Sequence, residues 1–165
     1  MRKLLRTSPG ASRVLFGSLL AMKDIVRRNV VDRVQASRYT DPMDYSNLIT
    51  QAHQLARPIY PSEDCQAGTV GAVIVSTSGK SYTGICVEFE CGMGFCAEHA
   101  AVAEMLKHQE SEIALVVAVN DEGRVFSPCG RCREMMWQLN DKNRDAKVIL
   151  GAGEARALSE LLPFR

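Results

Sequence analysis

At 165 residues, 46% of them apolar, and with a formal net charge of +1, the chain reads as one ordinary domain with enough apolar side chains for a buried core. A near-neutral chain exerts no overall electrostatic pull on nucleic acid. No apolar run reaches the length of a membrane span, and six cysteines in a chain this long do not require a disulfide scaffold.

The charge is unevenly placed. Residues 1–40 carry nine Lys and Arg against two Asp, and the remainder carries eleven against seventeen. This divides the chain into a basic arm, 1–40, and a mildly acidic domain, 41–165. In the arm, Leu15, Leu19, Met22, Val26 and Val30 fall at helical spacing. Such a stripe suits a membrane-surface or nucleic-acid contact. The plainer reading is a loose terminus, or residues upstream of a start at Met43. The apolar run 14–21 faintly resembles a secretory leader. It is short, Lys23, Arg27 and Arg28 follow it, and it lacks an Ala-x-Ala cleavage site. We therefore expect a cytoplasmic protein in a reducing compartment.

The domain opens on Asp41-Pro42-Met43-Asp44, which has an N-cap, a first-turn proline and a dipole-matched acid. Leu48, Ala52, Leu55, Ala56 and Ile59 give that helix an apolar stripe, and Pro58 helps end it. Residues 69–76 and 81–88 flank the turn Ser78-Gly79-Lys80 and read as a hairpin. Helices are predicted at 96–108, 128–139 and 155–162. A buried strand is predicted at 113–120 and a short one at 147–150. The alternation describes an α/β layered domain.

Two clusters carry the chemistry. Cys96-Ala97-Glu98 opens one predicted helix, and Pro128-Cys129-Gly130-Arg131-Cys132 opens the next. Residues three apart on a helix share a face, so Cys129 and Cys132 can grip one ion. Two helix N-termini favour the thiolate forms. Three protein ligands leave a fourth zinc position open, as a catalytic site requires. Glu98 stands two residues past the first ligand and is suited to move protons there. Three thiolates need a nearby cation, for which Arg131 is the first candidate, with Arg133 and His99 behind it. Taken alone, a Cys-x-x-Cys pair also fits a structural zinc half-site or a redox pair. The combined (His or Cys)-x-Glu and Pro-Cys-x-x-Cys pattern is the zinc-deaminase signature. Cys91 is a rival ligand by proximity, while Cys65 and Cys86 read as small apolar residues.

The stretches Gly94-Phe-Cys-Ala-Glu-His-Ala-Ala-Val-Ala-Glu104 and Ser127-Pro-Cys-Gly-Arg-Cys-Arg133 resemble the cytidine deaminases, especially the blasticidin S deaminase branch. Val70-Gly71-Ala72 and the tail Glu160-Leu-Leu-Pro163 extend the resemblance over residues 44–165. It implies a three-layer α/β/α sandwich with a mixed five-stranded sheet, and a homotetramer with shared active sites. Its implied zinc ligands are Cys96, Cys129 and Cys132, with Glu98 as the proton shuttle. Glu88, Cys86, Ala97 and Pro128 would surround the substrate, and Phe164 is a candidate base contact. The family's Asn-x-Glu on the second strand is replaced here by Cys86-Val87-Glu88. Gly68 replaces an aromatic residue, and His99 replaces an Arg. The resulting expectation is hydrolytic deamination of the cytosine ring of a nucleoside-like small molecule, with neither nucleic acid nor membrane as partner. The alternatives are a resistance deaminase acting on blasticidin S and a non-catalytic zinc module.

Overall fold

The structure is a computed structural model that describes residues 45–164. The arm 1–40 and the expected helix start Asp41-Pro42-Met43-Asp44 lie outside the described residues. The first described helix, α1 (Ser46–Leu55), begins after Tyr45. The backbone N–H of that buried tyrosine donates to Ala152 O at 3.2 Å and ties the helix start to the far end of the chain.

Among the described residues the sheet has seven strands. They are β1 (Ile59–Ser62), β2 (Cys65–Ser76), β3 (Ser81–Phe89), β4 (Ile113–Asn120), β5 (Val125–Phe126), β6 (Lys147–Gly151) and β7 (Glu154–Ala157). The main path is β1-β2-β4-β6-β7, while β3 pairs with β2 and β5 with β4. Only the β4/β6 pairing is parallel, so the sheet is mixed as expected, with two short strands beyond the expected five. Of the strands that escape residue-by-residue reading, β1 and β5 do so because neither has an alternating run. Ile59, assigned above to the helix stripe, lies in β1 and is exposed.

A row of partners runs across the sheet. Tyr82, Ile74, Val116 and Val148 sit side by side through their registers. This row packs against α2 (Ala97–Lys107) and α3 (Gly130–Leu139) through Ala101, Met105 and Met136. Side chains alternate along a strand, so neighbours of that row face the other way. There, α1 packs on β2 and β4, and a Cβ on Gly71 would lie 2.3 Å from Ala52 O. The result is helix, sheet and helix in three layers.

Close approach also explains Gly84 on β3, where a Cβ would meet Ala97 O at 2.4 Å and Ala101 N at 2.5 Å. This is what lets the start of α2 lie directly on the strand that walls the site.

The 155–162 prediction is corrected. Ala155 and Arg156 pair with Ile149 and Val148 in β7, and only α4 (Leu158–Leu161) is helical. Sheet pairing overrides the local helix preference of Ala and Glu.

One buried polar side chain holds the lower layer together. Asn143 is 0% exposed, in a 3-10 turn after α3. Its Oδ1 accepts from Ile113 N–H at 2.7 Å, and its Nδ2 donates to Ser111 O and Met136 O at 3.0 and 2.9 Å. It therefore joins the start of β4 to the end of α3. Asn143→Ala leaves those backbone groups buried without partners and is expected to cost about 2–4 kcal/mol, read as a lower midpoint in urea unfolding.

Candidate metal and catalytic site

Both helices that bear the motif start at a cysteine. Cys96 is the N-cap of α2 and Cys129 the N-cap of α3, each with extended backbone (φ −71°, ψ 157° and φ −65°, ψ 166°). Helix α3 therefore begins two residues later than a first-turn Pro128 implies, and Pro128 lies just outside it. The arrangement brings Cys96 Sγ to 3.6 Å from Cys129 Sγ, and Cys129 Sγ to 3.5 Å from Cys132 Sγ. Cys132 Sγ also lies 3.5 Å from His99 Nδ1. The donor atoms of Cys96, His99 and Cys132 all fall within 4.8 Å of one another. Cys91 is exposed and stands outside this group.

The spacing fits a zinc ion. Zinc–sulfur bonds of about 2.3 Å in a tetrahedron place sulfurs about 3.8 Å apart. The thiols follow the expected helix-start effect only at Cys129. Burial pushes Cys96 up, with the Cys129 thiol adding to it. Burial and then the Glu98 charge push Cys132 far up. Burial raises Cys129 as well, but the backbone N–H groups of Cys132 and Arg131 and the adjoining thiols outweigh it, so its pKa falls. Three thiols packed this closely, one of them buried, become an anionic ligand set only beside a cation.

Glu98 sits in the first turn of α2 and is 4% exposed. Burial raises its pKa, against the opposing pull of its own backbone N–H and of Cys132. A carboxyl group raised in this way is suited to proton transfer near neutrality. Burial first, then the Arg131 charge, lowers His99.

Arg131 donates from Nη2 to Gly94 O at 3.3 Å, which keeps its guanidinium beside the cluster. Arg133 points elsewhere: Nε donates to Pro128 O at 2.7 Å, Nη1 to Leu161 O at 2.9 Å and Nη2 to Ser127 Oγ at 3.1 Å. It fastens the loop before Cys129 to α4 instead of facing the thiols.

A cavity of about 730 Å³ opens over the cluster. Glu88, Cys86 and Ala97 line it with Cys96, Glu98 and Cys129. Pro128 is not among the lining residues; it is buried, with its carbonyl taken by Arg133. Phe164 is fully exposed on its own chain and does not line the cavity. Phe89, Phe95 and Phe126, each more than a third exposed, form much of the rim. Sequence reading missed Phe95 and Phe126, because an aromatic in a loop or a two-residue strand has no periodic signal. It also missed Thr69, whose hydroxyl lies 2.8 Å from Glu88 Oε1.

Comparison with known proteins places this geometry. Residues 43–150 match the cytidine and deoxycytidylate deaminase zinc-binding region. The chain is 32% identical over 127 residues to a cytidine deaminase of Halalkalibacterium halodurans, covering 73% of this chain and 92% of that protein. It is 31% identical over 136 residues to cytidine deaminase 2 of Arabidopsis thaliana, covering 75% of this chain but 38% of that longer protein. A crystal structure of cytidine deaminase from Mycobacterium tuberculosis superposes with a TM-score of 0.61 at 28% identity, covering 73% of this chain and 95% of that one. The chain belongs to the cytidine and deoxycytidylate deaminase family, through its zinc-binding region.

Proposed function

We propose that the protein catalyses zinc-dependent hydrolytic deamination of the cytosine ring of a nucleoside or nucleoside-like small molecule, giving the uracil product and ammonia. The observation that carries this reading is Glu98, a buried carboxyl at a helix start, beside three thiols spaced 3.5–3.6 Å apart. A purely structural zinc module has no use for an acid there.

In this reading Cys96, Cys129 and Cys132 hold the zinc. When bound, zinc acts as a Lewis acid and brings the pKa of water down to about 7. Glu98 accepts the proton of the attacking water and delivers it to ring N3. It then carries a second proton to the amino group that leaves from C4 as ammonia. Arg131 offsets the charge of the three thiolates, and His99 Nδ1, 3.5 Å from Cys132 Sγ, hydrogen-bonds that sulfur as a neutral ring. Glu88, on the cavity wall, orients the part of the substrate beyond the ring. Glu88, near the end of β3 and on the cavity wall, disfavours a phosphodiester backbone, which supports a small molecule over a polynucleotide. The exposed phenylalanine rim supports assembly with further copies of the chain, a tetramer in the family's pattern.

The test follows absorbance at the cytosine band for cytidine, 2′-deoxycytidine, cytosine and blasticidin S, using zinc-loaded protein and the same protein stripped by a chelator. Turnover of one member, lost on stripping and restored by zinc, is expected. Absence of turnover across the panel at full zinc occupancy overturns the reading. Blasticidin S turned over in preference to cytidine assigns the resistance branch.

A further inference from the structure

We infer that Thr69 is a positioning residue that, together with Cys86, locks the Glu88 carboxylate against the cavity and makes it the polar contact for the substrate beyond its ring. The inference rests on the reading of Glu88 as a substrate contact.

The device is a bulge. Ala67 pairs with Val87 and Gly71 with Ile85, so Gly68, Thr69 and Val70 of β2 face Cys86 alone. Gly68 supplies the turn with φ of 77°, at a point where a Cβ would lie 2.3 Å from Arg57 O. Bulges re-aim side chains beside functional sites. Here the Val70 N–H is diverted from the β3 ladder to Cys86 Sγ at 3.2 Å, and Thr69 Oγ1 meets both Cys86 Sγ at 2.9 Å and Glu88 Oε1 at 2.8 Å.

Proton counting sets the direction of this chain. A carboxylate only accepts, and a hydroxyl carries one proton. Thr69 therefore donates to Glu88, the sulfur accepts from Val70, and the Cys86 S–H is directed at Thr69 Oγ1, 2.9 Å away, with Glu88 Oε1 farther off at 3.8 Å. The Cys86 thiol is engaged by Thr69, Val70 and Glu88, so although it lines the cavity its proton is directed away from a substrate. Glu88 Oε1 is held by Thr69, and Oε2 is left to receive a substrate donor such as a hydroxyl. On the other side of β3, Val87 exchanges backbone bonds of 3.0 and 2.8 Å with Phe95, the residue before Cys96. The positioned carboxylate is thus in fixed register with the thiol cluster.

The test compares Thr69→Val, Thr69→Ser, Glu88→Gln and the double variant Thr69→Val/Glu88→Gln, all zinc-loaded, on whichever member of the four-compound panel is turned over fastest. Thr69→Val is expected to raise KM by about tenfold, the size of one hydrogen bond to a charged group, with kcat within about twofold and zinc content unchanged. Thr69→Ser is expected to stay near wild type. The double variant is expected to be no worse than Glu88→Gln alone. An infrared readout is independent of substrate: the Cys86 S–H stretch, identified by its loss in Cys86→Ala, moves to higher frequency in Thr69→Val. A raised KM in Glu88→Gln with no change in Thr69→Val overturns this inference and leaves the reading of Glu88 intact, as do additive effects in the double variant. An unchanged KM in Glu88→Gln overturns both.

Discussion

Glu98→Gln keeps one zinc per chain and loses kcat by about 10³-fold or more, in keeping with removal of a single proton-transfer group that serves more than one step. The substitution preserves the volume of a side chain that is 4% exposed, so folding should be little disturbed. It removes a carboxyl whose burial raises its pKa, and an amide cannot take a proton from water. KM should move far less than kcat, because the lost interaction belongs to the transition state. The measurement pairs zinc analysis by atomic absorption with initial rates. Wild-type turnover in Glu98→Gln would remove Glu98 from the mechanism.

Cys132→Ala has the second large effect, on metal and stability together. Cys132 is fully buried at the centre of the cluster, 3.5 Å from both Cys129 Sγ and His99 Nδ1. With two thiols left, zinc should fall well below one per chain. Ligand binding at a thousandfold excess over Kd stabilises a fold by about 4 kcal/mol, and the variant forfeits that increment. Wild-type protein should therefore melt at a lower temperature after chelation, and Cys132→Ala should melt at the same temperature with or without chelator. Full zinc occupancy in the variant would shift the ligand set to Cys96, Cys129 and His99.

These two residues were legible in the sequence because their chemistry is local. Cys96, Glu98, Cys129 and Cys132 lie within two short windows, and helix starts fix their directions. The strand Ile113–Asn120 was legible for a related reason: a strand covered on both faces must be apolar throughout. Longer-range effects were not legible. Ala155 and Arg156 carry no sign of the partners, Ile149 and Val148, that make them a strand. Arg133, two residues from Arg131, reads from sequence as the next candidate cation, and only the fold shows that it reaches Leu161 instead. The bulge had one sequence cue. Gly68, just before the β-branched run, is the sort of residue that marks an irregular strand, and reading the strand from Thr69 onward passed over it.

The two cysteine caps carry a further consequence, one of competing selection. A helix N-cap is best filled by Ser, Asp or Asn, whose oxygen satisfies an open backbone N–H, and cysteine is a poorer choice. Neither Cys96 nor Cys129 is replaced by such a residue, although each occupies a cap. Ser or Asp at position 129 would strengthen the start of α3 while weakening the grip on the ion. Optimising this fold for stability alone would therefore tend to erase its activity, one helix start at a time.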